Sequence, residues 1–105
     1  MKRFAIILSG SGFKDGSEIH EATMSMLSII QHECTYDCFA PDIIQHHVIN
    51  HLTGKEENET RNVLVESARI ARGNIRSLDK FDANEFDAVI FPGGSGVTKS
   101  FSNYE

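Results

Sequence analysis

Two groups in this chain could do chemistry together: the carboxylate of Glu21 and the bare backbone of Pro92-Gly93-Gly94. Proline ends a β-ladder because it has no N–H to give, and two glycines let the chain turn into conformations closed to other residues. Amides exposed in such a turn can point at an anion or a developing oxyanion. A helix beginning near Val97 and running to Tyr104 would turn its positive end toward the same spot. A tight strand-to-helix turn with glycines placed for packing is the plain alternative. Glu21 lies next to Ala22 on the apolar side of a helix, near the mouth of the first loop, so partial burial is expected for it. Glu18, one turn earlier, reads as a surface acid complementing the helix dipole.

The other reactive side chains read less well. Cys34 and Cys38 are four apart, which is neither a redox pair nor a zinc knuckle. On one strand they would lie about 13 Å apart, beyond disulfide reach, so both read as reduced thiols. His46, His47 and His51 cluster, and His47 and His51 would share a face of a helix. Glu56 and Glu57, acids that could complete a metal site, lie past Thr53-Gly54. Polar loop histidines are the better reading, and no metal is assigned. Ser9-Gly10-Ser11-Gly12 opens like a dinucleotide fingerprint, but Phe13-Lys14-Asp15 stands where the third glycine should be, so that function is rejected.

These residues need elements to position them. Phe4 to Leu8 and Phe86 to Phe91 are short apolar runs, suited to parallel strands covered on both faces, the second in the middle of the sheet. Cys34 to Ala40 reads as another strand, ended by Pro41-Asp42, and residues 74–78 as a short one. A first helix should start at Asp15 or Ser17, with Ile19, Ala22, Met26 and Ile29 facing the sheet. A second should run from Glu59 or Thr60 to Arg72, stopped by Gly73, with Val63, Leu64, Ala68 and Ala71 inward. The order strand, helix, strand, helix, strand gives an α/β fold with a parallel sheet of three principal strands and right-handed crossovers.

Composition sets the outer limits. The chain has 105 residues, 40% apolar with seven Phe, enough for one packed domain or part of one. A net charge of -5 argues against nucleic acid as a partner. The longest apolar run, Phe4 to Leu8, is far too short for a membrane span. Met1-Lys2-Arg3 ahead of it mimics a signal peptide without a cleavage site, so the expectation is a cytoplasmic protein beginning directly with a strand.

Several runs resemble a known family. Ile7-Leu8-Ser9-Gly10, Asp15-Gly16-Ser17-Glu18-Ile19-His20-Glu21, Val48-Ile49-Asn50-His51-Leu52-Thr53-Gly54, Thr60-Arg61-Asn62-Val63-Leu64 and Pro92-Gly93-Gly94 are similar to the N-terminal half of ElbB-type proteins. That family carries an isoprenoid-biosynthesis name and is associated with glyoxalase activity. It sits in the ThiJ/PfpI branch of the class I glutamine amidotransferase-like superfamily. The resemblance implies a flavodoxin-like three-layer α/β/α sandwich, of which residues 1–105 form the N-terminal part of a single domain. It also implies no metal or organic cofactor, a small aldehyde or dicarbonyl substrate, and often a homodimer.

Carried over by position, the resemblance makes Glu21 the acid that hydrogen-bonds a nucleophilic cysteine, and Gly94 an oxyanion donor. The nucleophile itself, in a Cys-x-x-Pro-like elbow, falls beyond residue 105. Neither Cys34 nor Cys38 has the small flanking residues of an elbow. The implied activity is conversion of glyoxal-type dicarbonyls to 2-hydroxy acids by the full protein, this stretch alone being inactive. The alternatives are a non-catalytic binding module or a hydrolase of the same superfamily.

Overall fold

The computed structural model describes residues 1–101. Strands β1 (Arg3–Ile7), β2 (Thr35–Ala40), β3 (Ile75–Ser77) and β4 (Ala88–Ile90) form one sheet in the order β3-β2-β1-β4. Every pairing is parallel, with Ile6 beside Cys38 on one side and Ile90 on the other. Helices α1 (Ile19–Gln31) and α2 (Val63–Ala71) make the crossovers, and α3 (Ser95–Phe101) follows β4.

The pleat sends alternate residues of β1 to two separate cores. Ile6 and Leu8 join Ala22 and Ile29 of α1, Val63 of α2, and Cys38 and Ala40 of β2. Ala5 and Ile7 point the other way, to Phe39, with Leu78, Phe81, Phe86 and Phe101 packed around them. Phe39 meets Phe81 and Phe86 edge to face at 5.3 and 5.7 Å. The unbroken apolar run of β1 follows from this double burial: Ala5, Ile6 and Leu8 are wholly buried. The result is an α/β sandwich around a four-stranded parallel sheet.

The short strand expected over residues 74–78 is present as β3 and pairs with β2, bringing the sheet to four strands. Three expectations need correction. The strand before Pro92 is not central: among the described residues β4 pairs only with β1, and Val89 and Phe91 remain 41% and 53% exposed. Ile19 is exposed, while Ala22 and Ile29 are buried as the spacing requires. Finally, α2 starts at Val63, because Asn62 caps it by accepting the Val65 N–H at 2.9 Å. Arg72 then adopts a left-handed conformation at its end, followed by Gly73. The helix expected over residues 97–104 is present as α3 through Phe101, and residues 102–104 lie outside the described residues.

Candidate functional site

Parallel strands put their carboxyl ends, and the loops that follow them, on one side of the sheet. The loop after β1 (residues 8–18) and the turn after β4 (residues 91–94) meet there. Glu18 N–H donates to Gly93 O at 2.6 Å, Ser95 N–H to Phe13 O at 2.9 Å, and Gly96 N–H to Gly16 O at 3.0 Å. The backbones touch so closely that glycine is required at positions 94 and 96. A Cβ on Gly94 would collide with Gly16 O, and would come 2.6 Å from Glu18 N. One on Gly96 would press on Ser9 O and Gly16 Cα.

Glu21 stands over this junction. Its Oε1 accepts the Gly93 N–H at 3.2 Å, across 72 residues of sequence. The geometry follows from how α1 begins. Glu18, with extended backbone, caps the helix itself: its carboxylate accepts the amides of His20 and Glu21 at 3.2 and 3.0 Å. Glu21 is thus in the first turn, one turn above Gly93. The Glu21 side chain is exposed, which corrects the expectation of partial burial.

The two glycines of the turn have different duties. Gly93 gives its N–H to Glu21 and its carbonyl to Glu18, so its backbone is fully engaged. Gly94, at φ +122°, accepts the Val97 N–H, but its own N–H donates to no acceptor among the described residues. The first amides of α3 do not help, since those of Ser95 and Gly96 are spent on Phe13 and Gly16. The arrangement is one carboxylate and one available amide side by side, able to hold a thiol and an oxyanion respectively.

A layer of hydroxyls supports the loop from below. Ser17 Oγ accepts the Ser9 N–H at 2.9 Å, and Ser67 Oγ accepts the Gly10 N–H at 2.8 Å; all three serines are fully buried. Sequence reading placed Ser17 at a helix cap and passed over Ser67. The available signal was that Ser67 sits four residues after Val63, on the inward face of α2. Asp15, the other expected cap, is 6% exposed, and its Oδ2 accepts the Ile49 N–H at 2.7 Å.

The remaining candidates are structural. His46 and His47 lie in an irregular stretch with their rings 5.2 Å apart, and His51 packs on the first loop, its ring 5.4 Å from that of Phe13. His47 and His51 therefore share no helical face. Among the described residues no group of three or more His, Cys, Asp and Glu could hold a metal ion. Cys34 and Cys38 are both free thiols. Cys38 is buried on β2, and its pKa is pushed up to about 11, by burial first and the Asp37 charge second. It remains protonated near neutrality and is no nucleophile.

No protein-family model matches the chain. Individual proteins do. A rat ES1 protein homolog, mitochondrial, is 48% identical over 103 residues, covering 97% of this chain and 39% of the rat protein. The human glutamine amidotransferase-like class 1 domain-containing protein 3, mitochondrial, is also 48% identical, over 97% of the chain and 38% of its own length. The zebrafish ES1 protein, mitochondrial, is 40% identical. A crystal structure of an isoprenoid biosynthesis protein with an amidotransferase-like domain from Ehrlichia chaffeensis superposes with a TM-score of 0.96 at 46% identity. It is matched over 98% of this chain and 48% of its own. The chain thus spans less than half the length of the relatives it matches. The mitochondrial names overturn the cytoplasmic expectation: an address is carried by targeting segments, and a core strand near Met1 says nothing about it. With such identity along nearly all of its residues and a near-superposable backbone, the chain belongs to the class I glutamine amidotransferase-like superfamily.

Proposed function

We propose that this chain is the N-terminal part of an ElbB-like glyoxalase, in which Glu21 and Gly94 serve a cysteine contributed from beyond residue 105. The observation that carries the reading is the meeting of Glu21 with the glycine turn, Oε1 to Gly93 N at 3.2 Å, beside an amide of Gly94 with no acceptor among the described residues. The thiolate adds to one aldehyde carbon of a dicarbonyl such as glyoxal, and the Gly94 N–H receives the oxyanion. Protonation gives a hemithioacetal. A proton then moves from the carbinol carbon to the neighbouring carbonyl carbon while the hydroxyl proton passes to that carbonyl's oxygen, leaving a 2-hydroxy thioester. Water cleaves it, returning the thiol and releasing a 2-hydroxy acid, so the net change is addition of one water. Glu21 holds the thiol and exchanges its proton with it.

The test is glyoxal consumption by the full-length protein and its Glu21→Gln variant. A loss of about 10²-fold or more in kcat/KM supports a role for Glu21 in proton transfer. Equal activity would remove Glu21 from the mechanism.

A further inference from the structure

We infer that His51 is a proton-operated latch, joining the lobe at residues 48–57 to the loop that floors the site. The lobe is a hairpin-like excursion closed by an antiparallel bridge between Ile49 and Glu56. It touches the loop after β1 through two crossed contacts. Asp15 Oδ2 accepts the Ile49 N–H at 2.7 Å, and His51 Nε2 accepts the Lys14 N–H at 3.2 Å.

The ring of His51 is committed at both nitrogens. Nδ1 lies 3.1 Å from Ile49 O, a pure acceptor, so Nδ1 carries the hydrogen. Nε2 faces a backbone N–H, a pure donor, so it must offer a lone pair. Only the neutral Nδ1–H tautomer satisfies both. A proton arriving at Nε2 converts that acceptor into a donor and ends the bond from Lys14.

The same proton has a place to go. Asp15 Oδ1 lies 3.7 Å from Nε2 and accepts no hydrogen bond among the described residues. The Asp15 side chain is 7% exposed, so a new charge-assisted bond there is shielded from water. The imidazole thus has two partners at one nitrogen, Lys14 N–H when neutral and Asp15 when charged. The other charged groups around this contact are of both signs. Lys14 Nζ lies 5.6 Å from the centroid of the Phe13 ring that His51 packs on, and Lys99 of α3 donates to Lys14 O at 3.2 Å. In the lobe itself, Glu56 is bridged to Ile49, and Glu57 accepts from Asn50 at 2.9 Å.

Switching reaches the site through the backbone. The residues on either side of the Lys14–Asp15 pair, Phe13 and Gly16, supply the carbonyls that hold Ser95 and Gly96. Those are the residues that follow the Gly93-Gly94 turn. Acidification therefore frees the loop at Lys14 while Ile49 stays tied to Asp15. This holds whether or not the site performs aldehyde chemistry.

Residue-resolved hydrogen exchange on the full-length protein tests it, comparing protection factors at about pH 8 and pH 5. The Lys14 amide should lose about three- to tenfold in protection at the lower pH, the worth of one net hydrogen bond, while the Ile49 amide is unchanged. In His51→Gln the Lys14 protection should not depend on pH. A constant Lys14 protection factor in the wild type, or the same fall in His51→Gln, overturns the latch. Should the variant not fold, the imidazole nitrogen shifts of wild-type His51 at pH 8 decide: the Nδ1–H tautomer is required, and Nε2–H refutes it.

Discussion

Gly93 and Gly94 are neighbours of the same type, yet alanine should affect them in opposite ways. At Gly93 the added Cβ would meet Glu21 Oε1 at 2.7 Å and Cδ at 3.3 Å. These are the tip of an exposed, flexible side chain, which can swing into solvent. What is lost is one exposed hydrogen bond, less than about 1 kcal/mol. At Gly94 the Cβ would strike Gly16 O and approach Glu18 N at 2.6 Å and Ser17 C at 2.9 Å, all backbone. None can retreat without breaking the bonds that join loop to turn. To that overlap, about 1–3 kcal/mol, is added the strain of φ +122° for an alanine, about 1–3 kcal/mol. Gly94→Ala should therefore cost about 2–6 kcal/mol and Gly93→Ala under about 1. Urea unfolding reads the difference: with a slope near 1.5 kcal/mol/M, the two midpoints should be separated by about 2 M. Gly93→Ala should meanwhile abolish most of the function that depends on Glu21, with the fold intact. Midpoints within about 0.3 M of each other, or Gly93→Ala as the less stable variant, would refute the reasoning.

Three further outcomes follow from the core and the edge. Because burial raises the Cys38 pKa to about 11, the native state keeps a proton that the unfolded chain releases at lower pH. Its stabilising contribution is whole below the range of a free thiol and is lost as pH climbs toward 11, so urea midpoints should fall over that window less steeply in Cys38→Ala. At pH 8, alkylation followed by mass spectrometry should mark Cys34 well before Cys38 in the native protein; equal rates would contradict the burial argument. Residues 1–105 expressed alone present the β4 edge with Val89 and Phe91 exposed, so sedimentation should show concentration-dependent self-association; a clean monomer at high concentration would count against it.

What the sequence revealed was local or periodic. The apolar run of β1, the Ala22–Ile29 face of α1 and the Pro-Gly-Gly turn all announce themselves through spacing and side-chain type. What it hid was decided by partners distant in sequence. Asp15 looks like a helix cap, but its carboxylate is taken by Ile49, thirty-four residues on, and Glu18 inherits the cap. The run at residues 86–91 looks buried on both faces, and only the sheet order puts β4 beside β1 with Val89 and Phe91 exposed. Ser67 reads as a minor irregularity in an apolar face until Gly10 is seen to donate to it. The two candidate site residues were individually legible, Glu21 as an acid near a loop mouth and Gly94 as part of a bare turn. Their placement across the same junction required the fold, and so did the division of labour between Gly93 and Gly94.

The central claim is that Glu21 and the glycine turn converge on a thiol supplied by a later part of the polypeptide. Alkylation rates of the full-length protein across pH, with peptide mapping, address it directly in the wild type and in Glu21→Gln. The account predicts that the fastest-reacting cysteine maps beyond residue 105 and that its pH profile shifts when Glu21 is replaced. A fastest site at Cys34, or a profile indifferent to Glu21, would contradict it.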